Sequence, residues 1–267
     1  MNAREGTYDA ARARARLERE SDVPVLEPTR GGLAERFSRL IGDRHPVIAF
    51  LVAVITGYVL LAATSVVVGL FVTELLLDID GLRRLDERFP AWLEGERTPG
   101  LTDASFVGSE ISGGKAVVGL LLLIALVMAV LRRWRIGAFI VFAVAVESGT
   151  YRATTFLVER RRPDVERLEG LPVDASYPSG HTAASIALYS GIALLLTSRL
   201  AHGPWRVAIW VVALAIPPIV ALARLYRGMH HPIDILAGVP IGIAALLVVL
   251  FAARVAGAAV QKREARA

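Results

Sequence analysis

Pro46-Val47-Ile48-Ala49-Phe50-Leu51-Val52-Ala53-Val54-Ile55 opens an apolar block that runs to Leu77 with a single acid, Glu74, and no base inside it. A helix of about 20 apolar residues crosses a hydrocarbon core of about 30 Å, and this block is longer than that. It is also too long for the apolar core of a secretory leader and lies too far from residue 1, so a cleaved leader is not expected. Further apolar blocks follow at about 115–131, 136–158, 181–198, 205–222 and 233–253. With 54% hydrophobic residues in a chain of 267, this pattern excludes one water-soluble core. The fold class it predicts is all-α: a polytopic membrane protein, a bundle of six transmembrane helices.

Outside the blocks the chain is polar. Residues 1–45, with the run Ala11-Arg12-Ala13-Arg14-Ala15-Arg16, are mixed in charge and poor in aromatics, which predicts a mostly disordered, in part helical cytoplasmic tail. Residues 46–253 form the membrane domain, and 254–267 a short basic cytoplasmic tail. Between the first two spans, Leu82, Leu85, Phe89, Trp92 and Leu93 recur at helical spacing. A short amphipathic surface helix and a loop with scattered apolar side chains both fit that spacing. Pro217-Pro218 and Pro240 fall inside spans, where they are expected to kink the helices and where neighbouring helices re-satisfy freed carbonyls.

The formal charge of +5 does not read as nucleic-acid binding, because the arginines flank apolar blocks or sit in the tails without interleaved aromatics. The absence of cysteine excludes a disulfide, a thiolate metal site and a cysteine nucleophile. If six spans alternate, the N-terminal tail, Arg132 to Arg135, Arg199 to Arg206 and the C-terminal tail share one side. That is the Lys/Arg-rich side expected in the cytoplasm, of the plasma membrane in this reading. Residues 78–114, 159–180 and 223–232 share the other.

Three polar stretches on that outer side carry residues suited to chemistry. In Pro178-Ser179-Gly180-His181, Ser179 is placed to cap a helix and Gly180 leaves backbone room. Free N–H groups there suit an anion, although an ordinary Ser-capped helix has the same sequence. Thr155 and Arg162-Pro163 close the third span; seven residues apart, they share nearly one helix face, and the Arg162 guanidinium can fork onto phosphate oxygens. Third comes Arg224-Leu225-Tyr226-Arg227-Gly228-Met229-His230-His231-Pro232-Ile233-Asp234. Pro232 suits the first helical position, so Asp234 falls in the first turn with its carboxylate reaching back towards His230, while His231 points elsewhere. The two histidines and Asp234, with His181, would also suit a metal, but the arginines beside them favour an anion over a dication.

Taken in this order, the three stretches resemble the type 2 phosphatidic acid phosphatase superfamily, whose pattern is K-x6-R-P, then P-S-G-H, then S-R-x5-H-x3-D. The second motif is complete, the third has Ala223 in place of its serine, and the first has Thr155 in place of its lysine. The likeness spans about residues 75–253. It implies a metal-independent phosphatase without cofactor, in which His230 takes the phosphoryl group, Asp234 orients His230 and His181 protonates the leaving oxygen. Arg162, Ser179, Gly180 and Arg224 would then hold the phosphoryl oxygens, with Thr155 standing where a lysine belongs. Arg160 is the expected compensating cation. Arg152, one turn before Thr155, is expected to point away from Arg162 and to pair with Glu147. The implied partners are the bilayer and a lipid phosphate of the phosphatidate or undecaprenyl diphosphate class, dephosphorylated at the extracytoplasmic face. A lipid-phosphate binding or transport protein with little turnover is the alternative.

Overall fold

A computed structural model describes residues 23–170, 174–198, 200 and 203–266. Six helical stretches in it are long and apolar enough to cross a membrane. The first is α2, Pro46–Glu74, prolonged by a 3-10 turn at Leu76–Asp78. The second is built from two helices, α4 at Pro99–Glu110 and α5 at Gly114–Val130. Then follow α6 at Trp134–Leu157, α7 at Gly180–Thr197, α8 at Pro204–Tyr226 and α9 at Pro232–Glu264. Two helices lie outside the spans: α1, Leu33–Ile41, and α3, Asp80–Gly95.

The apolar centre is made where α2, α6 and α9 meet, with Ala49, Ala53, Phe139, Ile140, Ala143, Ala245 and Val249 buried together. Outward faces are equally apolar: Leu122, Leu123 and Leu126 on α5 and Val207, Val211 and Leu214 on α8 are all exposed. Such a wall is stable only against lipid. Lipid supplies no hydrophobic drive between helices, so close contact of small residues has to hold them together. Gly238-x3-Gly242 on α9 does so against α7: an added Cβ at Gly238 would lie 2.6 Å from the Ser179 carbonyl oxygen, and one at Gly242 2.5 Å from that of Ala183.

Three sequence expectations need amendment. The second span begins 16 residues before its apolar block, at Pro99 rather than about 115. Its first helix is too polar for a hydropathy reading because Ser105 and Ser109 face inward, accepting from Arg227 Nη1 at 3.1 Å and Arg224 Nη1 at 2.7 Å. The surface helix exists as α3, but it buries an acid, Asp86, while Leu85 and Trp92 are exposed. Of the expected N-terminal tail, residues 1–22 lie outside the described residues. The remainder carries a turn, Pro24–Leu26, and α1, both packed on α9. Leu26 is fully buried there, and Arg254 Nε donates to the Val25 carbonyl at 3.0 Å.

Ion pairs of Asp43 with Lys262 and Arg266, and of Glu27 with Arg135, gather the start of the described chain, the α5–α6 turn and the end of α9 at one end of the bundle. The opposite end holds α3, the 158–179 connection and the turn between α8 and α9. All three polar stretches reach it.

Candidate active site

The two histidine-bearing segments are fixed to each other by backbone. Ser179 caps α7, its hydroxyl 3.5 Å from the Thr182 N–H and 3.0 Å from the Thr182 hydroxyl. Its own N–H donates to the Asp234 carbonyl at 2.9 Å. With Gly238 and Gly242 admitting α7 to close range, the start of α7 and the start of α9 form one rigid unit.

A cavity of about 420 Å³ opens at this unit, and Arg162, Gly180, His181 and His230 line one end of it. The His230 Nδ1 lies 2.8 Å from the Ser176 carbonyl oxygen. A carbonyl can only accept, so Nδ1 carries the proton and Nε2 keeps its lone pair. Burial pushes the His230 imidazole down to about 4, so it is neutral at pH 7. The Ser176 carbonyl is itself held in place, since the Ser176 N–H donates to the Arg160 carbonyl at 2.7 Å and its hydroxyl to that of Arg161 at 3.0 Å. Arg162 is buried, and its Nη1 donates to the Met229 carbonyl, immediately before His230.

Asp234 does something other than expected. Pro232 begins α9, so His231 is the N-cap and Asp234 the third helical residue, and the pair closes a capping box. The Asp234 Oδ2 accepts from the His231 N–H at 2.8 Å and stands 3.4 Å from the His231 Nδ1, whereas the His230 Nδ1 is 3.8 Å away. The backbone carbonyl of Ser176, which no sequence pattern marks, is therefore the nearest partner of the His230 Nδ1, with the Asp234 carboxylate beyond it at 3.8 Å.

Arg160 is likewise occupied. It donates to both Asp234 and Asp86, and Asp86 also accepts from the Ile233 N–H at 2.9 Å. It lines a second, polar cavity of about 820 Å³ with Arg161, His231 and Arg162, the last of which also lines the histidine cavity. Thr155 is buried and donates to the Tyr177 carbonyl at 3.3 Å; it does not line the cavity with His230. Arg152, by contrast, lines that cavity and forms no ion pair with Glu147, whose one hydrogen bond comes from Ser148, contrary to the sequence expectation. Ser179 and Arg224 are fully buried behind the cavity wall. Among the described residues Arg224 leaves Nε and Nη2 without a partner and gives Nη1 to Ser109 and Glu169. Sequence reasoning overlooked Glu169. Burial would raise its carboxyl, but Arg224 and Arg227 hold it down at about 2.

From the histidine end the cavity becomes steadily less polar along both walls. On α6, Arg152 and Tyr151 give way to Ser148 and Glu147, then to Ala145, Val144 and Val141; on the facing wall, Ser112 and Gly114 give way to Val117, Val118 and Leu121. Among the described residues no group of three or more His, Asp or Glu side chains is placed to hold a metal ion.

Fold and site together define a six-span helical membrane protein with a histidine and arginine pocket facing an apolar groove. Residues 136–256, which carry all three motifs, match the PAP2 superfamily. An undecaprenyl-diphosphatase of Sulfolobus acidocaldarius is 30% identical over 119 residues, 43% of this chain and 53% of that one. A decaprenylphosphoryl-5-phosphoribose phosphatase of Mycobacterium tuberculosis is 32% identical over 117 residues, 42% and 56% of the respective chains. The chain thus spans about half the length of the curated relatives it matches. In fold it is similar to a transmembrane PAP2 type phosphatidylglycerolphosphate phosphatase of Bacillus subtilis, with a TM-score of 0.59 at 22% identity over 76% of this chain and 93% of that one.

Proposed function

We propose that this protein is an integral membrane phosphatase that removes a terminal phosphoryl group from a lipid phosphate of the phosphatidate or polyprenyl diphosphate class. The carrying observation is the tautomer of His230: with Nδ1 donating to the Ser176 carbonyl, its Nε2 is the free lone pair in a cavity shared with Arg162 and His181. Names of the matched relatives point to polyprenyl substrates, and the cavity's apolar walls suit a chain of that kind.

In this reading the Nε2 of His230 attacks phosphorus and the bond to the leaving oxygen breaks. That oxygen takes a proton from His181, whose imidazolium the adjoining phosphoryl anion favours. Water then attacks the phosphohistidine, gives its proton to His181 and releases inorganic phosphate. Arg162 and the N–H groups at the start of α7 stabilise charge on the phosphoryl oxygens as it develops. Because the opposite end of the bundle carries Arg132, Arg133, Arg135, Lys262 and Arg263, the site faces the extracytoplasmic side.

Phosphate release from phosphatidate and from undecaprenyl diphosphate, measured on purified protein with and without a chelator, tests this. Turnover should persist with chelator and disappear in His230→Ala; an active His230→Ala would remove the proposed nucleophile. The Thr155 departure favours binding without turnover as the second reading. Tight vanadate binding with no phosphate release from any substrate would establish that reading instead.

A further inference from the structure

We propose that Arg152 binds a second anionic group of the substrate, the phosphate that joins the scissile phosphoryl to the lipid chain. This deepens the phosphatase reading and rests on it for the place of the scissile group at His230.

Arg152 sits on a membrane-spanning helix, where an arginine without a counter-charge is costly and marks a binding path. Its side chain is exposed and lines the same cavity as His230, His181 and Arg162. Among the described residues no carboxylate pairs with it. Glu147, the acid on its own helix, accepts nothing from it and takes its one hydrogen bond from the Ser148 hydroxyl at 3.0 Å.

Position along the cavity decides which substrate group Arg152 meets. The phosphoryl end is defined by His230, His181 and Arg162, and the lipid end by Val141, Val144 and Val117. On α6, Arg152 lies between Val144 and the helix end, eight residues after Val144 and five before Leu157, so about 12 Å and 7.5 Å along the helix from those two residues. A cation placed there meets the linking phosphate of a diphosphate rather than the terminal one. A substrate with one phosphate would leave it unused. Lipid diphosphates and lipid phosphates with a second phosphodiester share the required chemistry, and monophosphates lack it.

The test is binding of two non-hydrolysable probes, farnesyl phosphonate and farnesyl methylenediphosphonate, to the full chain in detergent, by titration calorimetry. The wild type should bind the diphosphonate more tightly. Arg152→Gln should weaken the diphosphonate alone, by roughly ten- to a hundredfold, as expected for loss of a charge-assisted hydrogen-bonded pair. Arg152→Lys should recover part of that loss, and its diphosphonate-selective deficit serves as the readout if Arg152→Gln melts below the assay temperature. Equal weakening of both probes would mean that Arg152 acts on the scissile phosphoryl, and would overturn the proposal. So would unchanged affinity for both, or a wild type that binds neither. Phosphate release from farnesyl diphosphate, run in parallel, separates the two layers: diphosphonate-selective binding without turnover keeps Arg152 in this role and refutes the phosphatase reading.

Discussion

Replacing Gly238 by alanine tests whether the α7–α9 contact sets the geometry of the site. The added Cβ would meet the Ser179 carbonyl oxygen at 2.6 Å, against an ordinary carbon–oxygen contact of about 3.3 Å. The two backbones must therefore part by about 0.7 Å, because the neighbour is main chain and has no side-chain torsion to yield. The same shift would stretch the Ser179 N–H to Asp234 carbonyl bond from 2.9 Å to roughly 3.6 Å, beyond hydrogen-bonding distance. Overpacking of about 1–3 kcal/mol and one lost hydrogen bond of about 1 kcal/mol together lower Tm by roughly 5–10 °C. His181 would move against His230 by a similar fraction of an ångström, which reduces kcat by roughly ten- to a hundredfold. Gly119→Ala on α5 is the control: nothing lies within 4 Å of its added Cβ, so both Tm and kcat should hold. Thermal melts and phosphate release on the purified variants check this. A Gly238→Ala protein with wild-type Tm and kcat would refute the packing argument, and a lowered Tm with wild-type kcat would refute its link to catalysis.

Two further perturbations follow from the charges at the site. Because burial holds His230 at about 4, the acid limb of kcat/KM assigned to this group should fall near pH 4; a limb at about 6.5, the ordinary histidine value, would contradict its burial. The sign for stability is the same: the neutral imidazole contributes fully above about 6.5, and its contribution is lost as pH falls towards 4. Glu169→Gln removes the carboxylate shared by Arg224, fully buried, and Arg227, and should cost about 2–3 kcal/mol, less than a fully buried pair because the Glu169 side chain is 18% exposed. An unchanged melting temperature in Glu169→Gln would show that the pair carries no net stability.

The spans were readable because long apolar blocks have few other uses, and the three motifs because their residues lie close in sequence. What escaped reading depends on partners far along the chain. The helix Pro99–Glu110 looks too polar to belong to a span until Ser105 and Ser109 meet Arg227 and Arg224, more than a hundred residues later. Glu169 is one acid in a polar connection, with nothing nearby to mark its two arginine partners. The Ser176 carbonyl is a main-chain group, and no side-chain pattern reports where it points. Other features were present in the sequence and passed over. Gly238-x3-Gly242 is a known close-packing spacing, and a Pro at the first helical position with an acid two residues on is enough to expect the capping box that turns Asp234 towards His231.

That capping box changes what Asp234 contributes. Its Oδ2 serves the His231 backbone, and its Oδ1 accepts from Arg160, which also holds Asp86 of the surface helix. Its carboxylate, 3.8 Å from the His230 Nδ1, still opposes the lowering of His230 by burial, and through the capping box it also fixes the turn in which His230 sits. Asp86 completes the clamp by accepting the Ile233 N–H, which explains why a helix at the membrane surface buries an acid in place of its leucines. His230 is thus held by main-chain and ion-pair contacts that leave its Nε2 unencumbered, while Arg152 is exposed and, among the described residues, has no partner. In the phosphatase proposed above, the half of the cavity held by these contacts would meet the group that reacts, and the half lined by Arg152 the group that differs between substrates.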